Sequence, residues 1–257
     1  MNTISFLKEK INNAKALDFG TIFNESIELF KKTWLQGFLM QLFVIIIMLP
    51  LIIVLYLPLI TIMIAQAKSG YSDPGSYNEF FAGMSIIYIL FVIIGIVVLS
   101  AVSVAINAAF FRIMRALDEG KAVTTSDFFC FINGKYLSKA FLLVVVSVLI
   151  SIPAALLCYI PLIYVLVPMS FFAIIFAFNP ELSVGDIVSI SFKIGHKKWL
   201  LAFGLIIVSS LLAQIVGFLL CGIGVLFTAP FVYHPVYIIY KKVIGFNNED
   251  EVNHIVE

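Results

Sequence analysis

Six stretches of this chain run for at least nineteen residues without an Asp, Glu, Lys or Arg, at 35–67, 82–111, 140–158, 160–178, 200–220 and 222–240. About 20 apolar residues suffice to cross a hydrocarbon core roughly 30 Å thick. No soluble fold can cover that much apolar surface, and the whole chain agrees: 62% of its 257 residues are hydrophobic, 12% are charged, and the mean hydropathy is +1.10. The runs predict an all-α integral membrane protein of six transmembrane helices. The first two runs are longer than one crossing needs at about 1.5 Å per residue, so tilt, projection or kinks at Pro50 and Pro58 must absorb the excess. "LLCYIP" and "LLCGIG" break two longer apolar regions into hairpins, because Pro and Gly punctuate helices.

Charge then orients the helices. Lys8, Lys10, Lys15, Lys31 and Lys32 precede the first run. Arg112, Arg115, Lys121, Lys135 and Lys139 follow the second, Lys193, Lys197 and Lys198 follow the fourth, and Lys241 and Lys242 close the sixth. Of the sixteen cations only Lys68 falls on the other face. Positively charged loops stay on the cytoplasmic side, so both termini are expected inside. The organisation is then a cytoplasmic segment at 1–18, one membrane domain at 19–240 and a cytoplasmic tail at 241–257. The outer side keeps one polar loop, "SGYSDPGSYNEF", and two tight turns. Lys8, Lys10 and Lys15 alternate with Glu9 and Asp18 without a cleavable apolar core, so the first span is expected to direct insertion.

Two clusters stand where cytoplasmic segments enter the membrane: Lys31, Lys32 and Trp34, and His196, Lys197, Lys198 and Trp199. Indole rings favour the headgroup level and lysines an anionic inner leaflet. These residues are therefore candidate lipid-headgroup anchors, the plainer reading being topology determinants. The clusters also echo each other. At an offset of 165, Gly20, Ile22, Ser26, Trp34, Leu35 and Phe38 match Gly185, Ile187, Ser191, Trp199, Leu200 and Phe203. Before each tryptophan lies an amphipathic pattern. In the first, Phe19, Ile22, Phe23, Ser26, Ile27 and Phe30 share a face, with Asn24, Glu25, Glu28 and Lys31 opposite. A weaker third copy begins at "TTSDFFCFINGKYLSKAF", with Tyr136 in the tryptophan position. The expected architecture is three hairpins, each preceded by a cytoplasmic interfacial amphipathic helix, as parallel pseudo-repeats. Small residues at Ala101, Ala105 and Ala109, and at Ser209, Ala213 and Gly217, mark seams where helices approach closely.

The order "LLCYIPLIYVL", "NPELSVGDIVSISFKIGHKKW" and "GIGVLFTAPFVYHPVYIIY" within 140–245 resembles uncharacterised bacterial six-helix integral membrane families. It is also similar to the membrane domain fused to some glycerophosphodiester phosphodiesterases. That resemblance implies an inner-membrane location and an architecture, with a hint of lipid-associated biology. It carries no catalytic residues across, and no stretch of this chain is polar enough to be the phosphodiesterase domain.

Chemistry is thin. No charged residue lies within a run, although ion-coupled carriers usually keep one near mid-membrane. The intramembrane polar candidates are Gln41, Asn107 and His234. Asn107 and His234 are expected at similar depth, where they form one polar site if the second and sixth spans touch. A structural histidine beside Pro235 is the plainer reading of His234. No nucleophile, P-loop or metal motif occurs, so no metal and no cofactor are expected. Glu249, Asp250, Glu251 and His254 in the tail read as a solvated end. Cys158 and Cys221 are close enough to a shared face to pair or to remain free thiols. A net charge of +1 attracts no nucleic acid. The expected partners are membrane lipids, with a second copy or another membrane protein as further candidates. Two functions fit these observations: a non-enzymatic scaffold organising lipid or a partner, or a transporter of a small solute or lipid along an uncharged path between the repeats. A membrane-embedded lipid enzyme lacks its acid, base and nucleophile.

Overall fold

The computed structural model describes residues 3–69, 75, 86–157, 159–220 and 222–246. The loop around Ser72, Cys158, Cys221 and the tail residues Glu249, Asp250, Glu251 and His254 lie outside the described residues. Among the described residues all regular structure is helical. Ten α-helices follow in order: α1 (Ile4–Asn13), α2 (Phe19–Ser69), α3 (Ile86–Asp118), α4 (Gly134–Leu156), α5 (Ile160–Ser170), α6 (Phe172–Phe178), α7 (Val184–Lys197), α8 (Trp199–Leu219), α9 (Val225–Thr228) and α10 (Tyr233–Val243). Two 3₁₀ turns, Thr125–Phe129 and Ala229–Val232, complete them.

Among the described residues five helical stretches are long and apolar enough to cross a membrane: Phe19–Leu57, Tyr88–Asp118, Gly134–Leu156, Ile160–Phe178 and Trp199–Leu219. The chain is a multi-pass membrane protein. The fourth stretch is interrupted at Phe171, the residue between α5 and α6, three positions after Pro168. The run at 222–240 forms no single helix. Pro230, which has no amide hydrogen to give, sits in the 3₁₀ turn that joins α9 to α10.

α2 differs from the expected build in a second way. Its first turns continue without a joint into the apolar run, passing Pro50 and Pro58, to make one helix of 51 residues. Thr33, between Lys32 and Trp34, stays within the helix, its hydroxyl 3.0 Å from Leu29 O. In the echoing region the chain does break, at Lys198 between α7 and α8.

The two amphipathic stripes pack against protein. In α2, Ile22, Ser26, Leu29 and Thr33 are buried; at the offset of 165, Ile187, Ser191, Ile194 and Lys198 are buried too. Ser26 Oγ donates to Ile22 O at 2.7 Å, and Ser191 Oγ to Ile187 O at 2.8 Å. The helix starts correspond as well. Asp18 accepts the Thr21 N–H, and Ser183 accepts the Asp186 N–H, each side chain satisfying an orphan donor of its helix.

Both small-residue seams are interior. Ala101, Ala105 and Ala109 are buried, as are Ser209, Ala213 and Gly217. Elsewhere backbones approach still closer. A Cβ added at Gly195 would stand 2.6 Å from the Pro168 Cα, so only glycine lets α7 lie on α5 there.

Two levels of packing result. Large buried aromatics, Phe110, Phe111, Phe128, Phe131, Phe171, Phe176, Tyr237 and Tyr240, gather where the helices carry their cations. Towards the other end α2 and α3 expose apolar side chains such as Ile53, Leu57, Ile60, Phe91 and Ile94, as a lipid-facing surface does. The chain from Phe227 onward runs antiparallel to α2. Phe227 stacks on Phe38 at 4.2 Å, Pro230 meets Gly37, His234 bonds Thr33, and Lys242 pairs with Glu25 at 2.7 Å. Partners descend along one element as they ascend along the other.

Candidate functional site

His234 is wholly buried at the start of α10. Its Nδ1 lies 3.1 Å from Pro230 O and 3.2 Å from Phe231 O, and its Nε2 lies 2.7 Å from the Thr33 hydroxyl. Carbonyls only accept, so a neutral ring carries its proton on Nδ1 and accepts at Nε2 the hydrogen bond of the Thr33 hydroxyl, whose single hydrogen then turns from Leu29 O, 3.0 Å away, toward the ring. That tautomer leaves no ring atom unpaired. Phe30, Phe110 and Phe231 surround the imidazole with centroids 5.3 to 6.2 Å away. Asn107 stands beside the neighbouring Tyr233 hydroxyl. The second and last apolar runs therefore do touch, but Asn107 meets Tyr233 and His234 meets Thr33. Gln41, half-buried on α2, has no partner shown with either.

The cations tell a different story from simple anchors. Lys197 donates to Asn12 O, and the buried Lys198 donates to Lys15 O at 2.5 Å. Lys10 reaches Ile244 O at 2.7 Å. Lys139 holds Pro180 O and Leu182 O at 2.5 and 3.0 Å, and Arg112 holds Ala177 O at 2.9 Å. All but one of these acceptors lie in or just beyond the last turn of α1, α6 or α10, where carbonyls have no helical partner and the backbone dipole favours positive charge; Leu182 O stands just before the Ser183 cap of α7. The sequence spacing hid these bonds, since Lys198 and Lys15 stand 183 positions apart.

Ion pairs complete the same end. Lys241 meets Asp118 at 2.5 Å, and Tyr237 donates to the same carboxylate oxygen at 3.0 Å. Arg115 pairs with Glu119 at 2.8 Å and covers the Phe246 ring. Lys135 pairs with Glu181 at 3.0 Å, and that hydrogen bond, with the lysine charge, holds the carboxyl below its ordinary range. Asn179 donates to the Tyr240 hydroxyl at 2.9 Å. Burial pushes the Glu119 carboxyl up, but the hydrogen bonds and charges of Arg115 and Lys121 outweigh it and hold the group below its ordinary value.

The first basic cluster is looser. Lys31 pairs with Glu28 on an open surface, Lys32 is exposed, and Trp34 is 45% exposed beside Phe227. Trp199 is held more firmly: its Nε1–H donates to Tyr164 O at 3.0 Å, and its ring stacks on Tyr164 and Phe203. His196 shares a hydrogen bond with the Tyr164 hydroxyl at 3.0 Å.

Among the described residues no group of three His, Cys, Asp or Glu side chains is placed to hold a metal ion. Thr33, Tyr164, Tyr233 and Asn179 are the site residues that sequence patterning missed; each is an ordinary polar residue until its distant partner is known. No protein-family model, no curated protein and no solved structure matches this chain.

Proposed function

We propose that this chain is a bacterial inner-membrane protein of six crossings, both termini cytoplasmic, acting without catalysis as a scaffold that organises acidic lipid at its cationic face. The observation that carries the reading is where the cations are spent. They tie α1 to the ends of α7 and α10, and α3 and α4 to the end of α6, and so assemble a rigid polar end, instead of lining a route between helices. The deep polar groups point the same way, because Thr33 and the Pro230 and Phe231 carbonyls fully occupy His234.

The sixth crossing rests on the antiparallel course of residues 227–242 along α2. Five crossings would leave the two ends of the chain on opposite faces, whereas Lys10 bonds the Ile244 carbonyl directly. The same contacts support three hairpins, since Glu25 with Lys242, Asp118 with Lys241, and Lys139 with Pro180 all meet at the polar end. Matching caps, buried stripes and serine hydrogen bonds at the offset of 165 support a common origin for the first and third units. The likeness of 140–245 to six-helix bacterial families enters as architecture alone.

Native mass spectrometry of gently extracted protein tests the scaffold. Acidic phospholipid should remain bound in preference to zwitterionic lipid, and equal retention of both refutes it. An impermeant thiol reagent tests sidedness in intact cells of a variant lacking the native cysteines. A cysteine replacing Ser72 should react and one replacing Lys121 should not; the reverse pattern inverts the topology.

A further inference from the structure

We infer that a cavity of about 610 Å³ between α1, the turn that follows it and the end of α10 binds the phosphate ester of an acidic phospholipid; this deepens the lipid reading above and rests on it. Lys10, Lys15 and Lys242 line the cavity against a single carboxylate, Glu9. Its volume falls within the range of small-ligand sites. Ammonium groups recognise phosphate as point charges with several donors each.

The three lysines are differently prepared. Lys10 gives one hydrogen to Ile244 O and rests over the Phe6 ring at 4.6 Å, which fixes its nitrogen and leaves donors over. Lys242 is steadied by Glu25. Lys15 is exposed and its side chain has no partner among the described residues, while its own carbonyl is clamped by Lys198. A positioned backbone thus presents an unspent cation. Phe6 and Leu17 add an apolar edge to the lining, which suits a glycerophospholipid better than a free anion. Lys242 stands two residues beyond the last apolar run, so the cavity opens at the level where headgroups stand.

The test uses the full chain in neutral detergent, titrated with phosphatidylglycerol or phosphatidylcholine and read by native mass spectrometry. Phosphatidylglycerol should bind preferentially. Each cation near an anionic group is worth on the order of fivefold in affinity, so Lys15→Gln should weaken binding about fivefold and Lys15→Glu more. Neither change removes a bond of the fold. Lys32→Glu, an exposed cation outside the cavity, should leave binding within about twofold. Equal effects of Lys15→Glu and Lys32→Glu, or none from either, overturn the cavity while sparing the lipid-scaffold reading. Wild-type protein with no preference for phosphatidylglycerol overturns both. Displacement of the lipid by excess inorganic phosphate would assign the site to a soluble ester and overturn the lipid source.

Discussion

Replacing Lys198 by Met should loosen α1 without disturbing the rest of the molecule. The helix is held by Leu7 and Ile11, both fully buried against its neighbours, by Lys10 on Ile244 O, and by Lys197 and Lys198 on the carbonyls of Asn12 and Lys15. Methionine keeps the apolar stem but removes the donor. A hydrogen bond from a charged group contributes about 1.5 to 3 kcal/mol. The lower end applies here, because burial and then the charge of Lys197 already hold Lys198 below the ordinary lysine range, and removing the ammonium relieves that cost. About 1.5 kcal/mol corresponds to roughly a tenfold rise in the open population of α1. Hydrogen exchange measured in nanodiscs reads that population segment by segment. Amides of residues 7–13 should exchange about tenfold faster, with α8 unchanged. Lys198→Arg should restore most of the protection. Lys31→Met, which removes an open surface pair worth at most about 1 kcal/mol, should leave α1 as it was. Unchanged exchange in Lys198→Met would refute the assignment of these lysines as ties on helix ends.

Three further outcomes are expected. Thr33→Val strands the Nε2 of His234 in an apolar surround, so it should lower thermal stability by about 1 to 3 kcal/mol; a cycle with His234→Phe should show that the two losses are strongly non-additive. Gly195→Ala forces a Cβ against the Pro168 backbone and should cost about 1 to 3 kcal/mol, measured as a lower unfolding midpoint in detergent. Acid should weaken the polar end. The Thr21 amide, then its hydroxyl, hold Asp18 below its ordinary value of 3.8, and Lys135 holds Glu181 below 4.5. Carboxyls depressed by folding contribute fully above those ordinary values and lose the contribution as pH falls through the depressed ones. Exchange at the start of α2 should therefore accelerate below about pH 4, and Asp18→Asn should remove that dependence.

Much of the membrane architecture was legible because hydrophobic length is a local property. Each of the five helices long enough to cross overlaps one of the charge-free runs. The small-residue seams were legible for the same reason, since Ala101, Ala105 and Ala109 must share one helix face. What resisted was anything set by contacts between distant residues. Phe171 carries no breaker signal of its own, yet the helix is interrupted there, three residues after Pro168. The amphipathic stripe at Ile22, Ser26 and Leu29 was expected on a bilayer surface and faces protein, because periodicity reports that a face is apolar and not what covers it. Lysines 197 and 198 were assigned to headgroups on their position beside Trp199. Their partners at Asn12 and Lys15 belong to the opposite end of the sequence, and no spacing rule joins them. His234 was better served, since the pairing with Thr33 agrees with a structural histidine.

The unbroken course of α2 has a mechanical consequence. Its apolar portion from Leu35 to Ala67 measures about 50 Å along the axis at 1.5 Å per residue, against a hydrocarbon layer of about 30 Å. A bilayer of changing thickness must therefore lean the rod or be deformed by it. The turns from Phe19 to Trp34 extend about 22 Å beyond the apolar portion, so a ten-degree lean, to take a round figure, would sweep Phe19 sideways by about 4 Å. Lean of the proline-free part, from Phe19 to Leu49, would then reach the layer that holds α1 as torque.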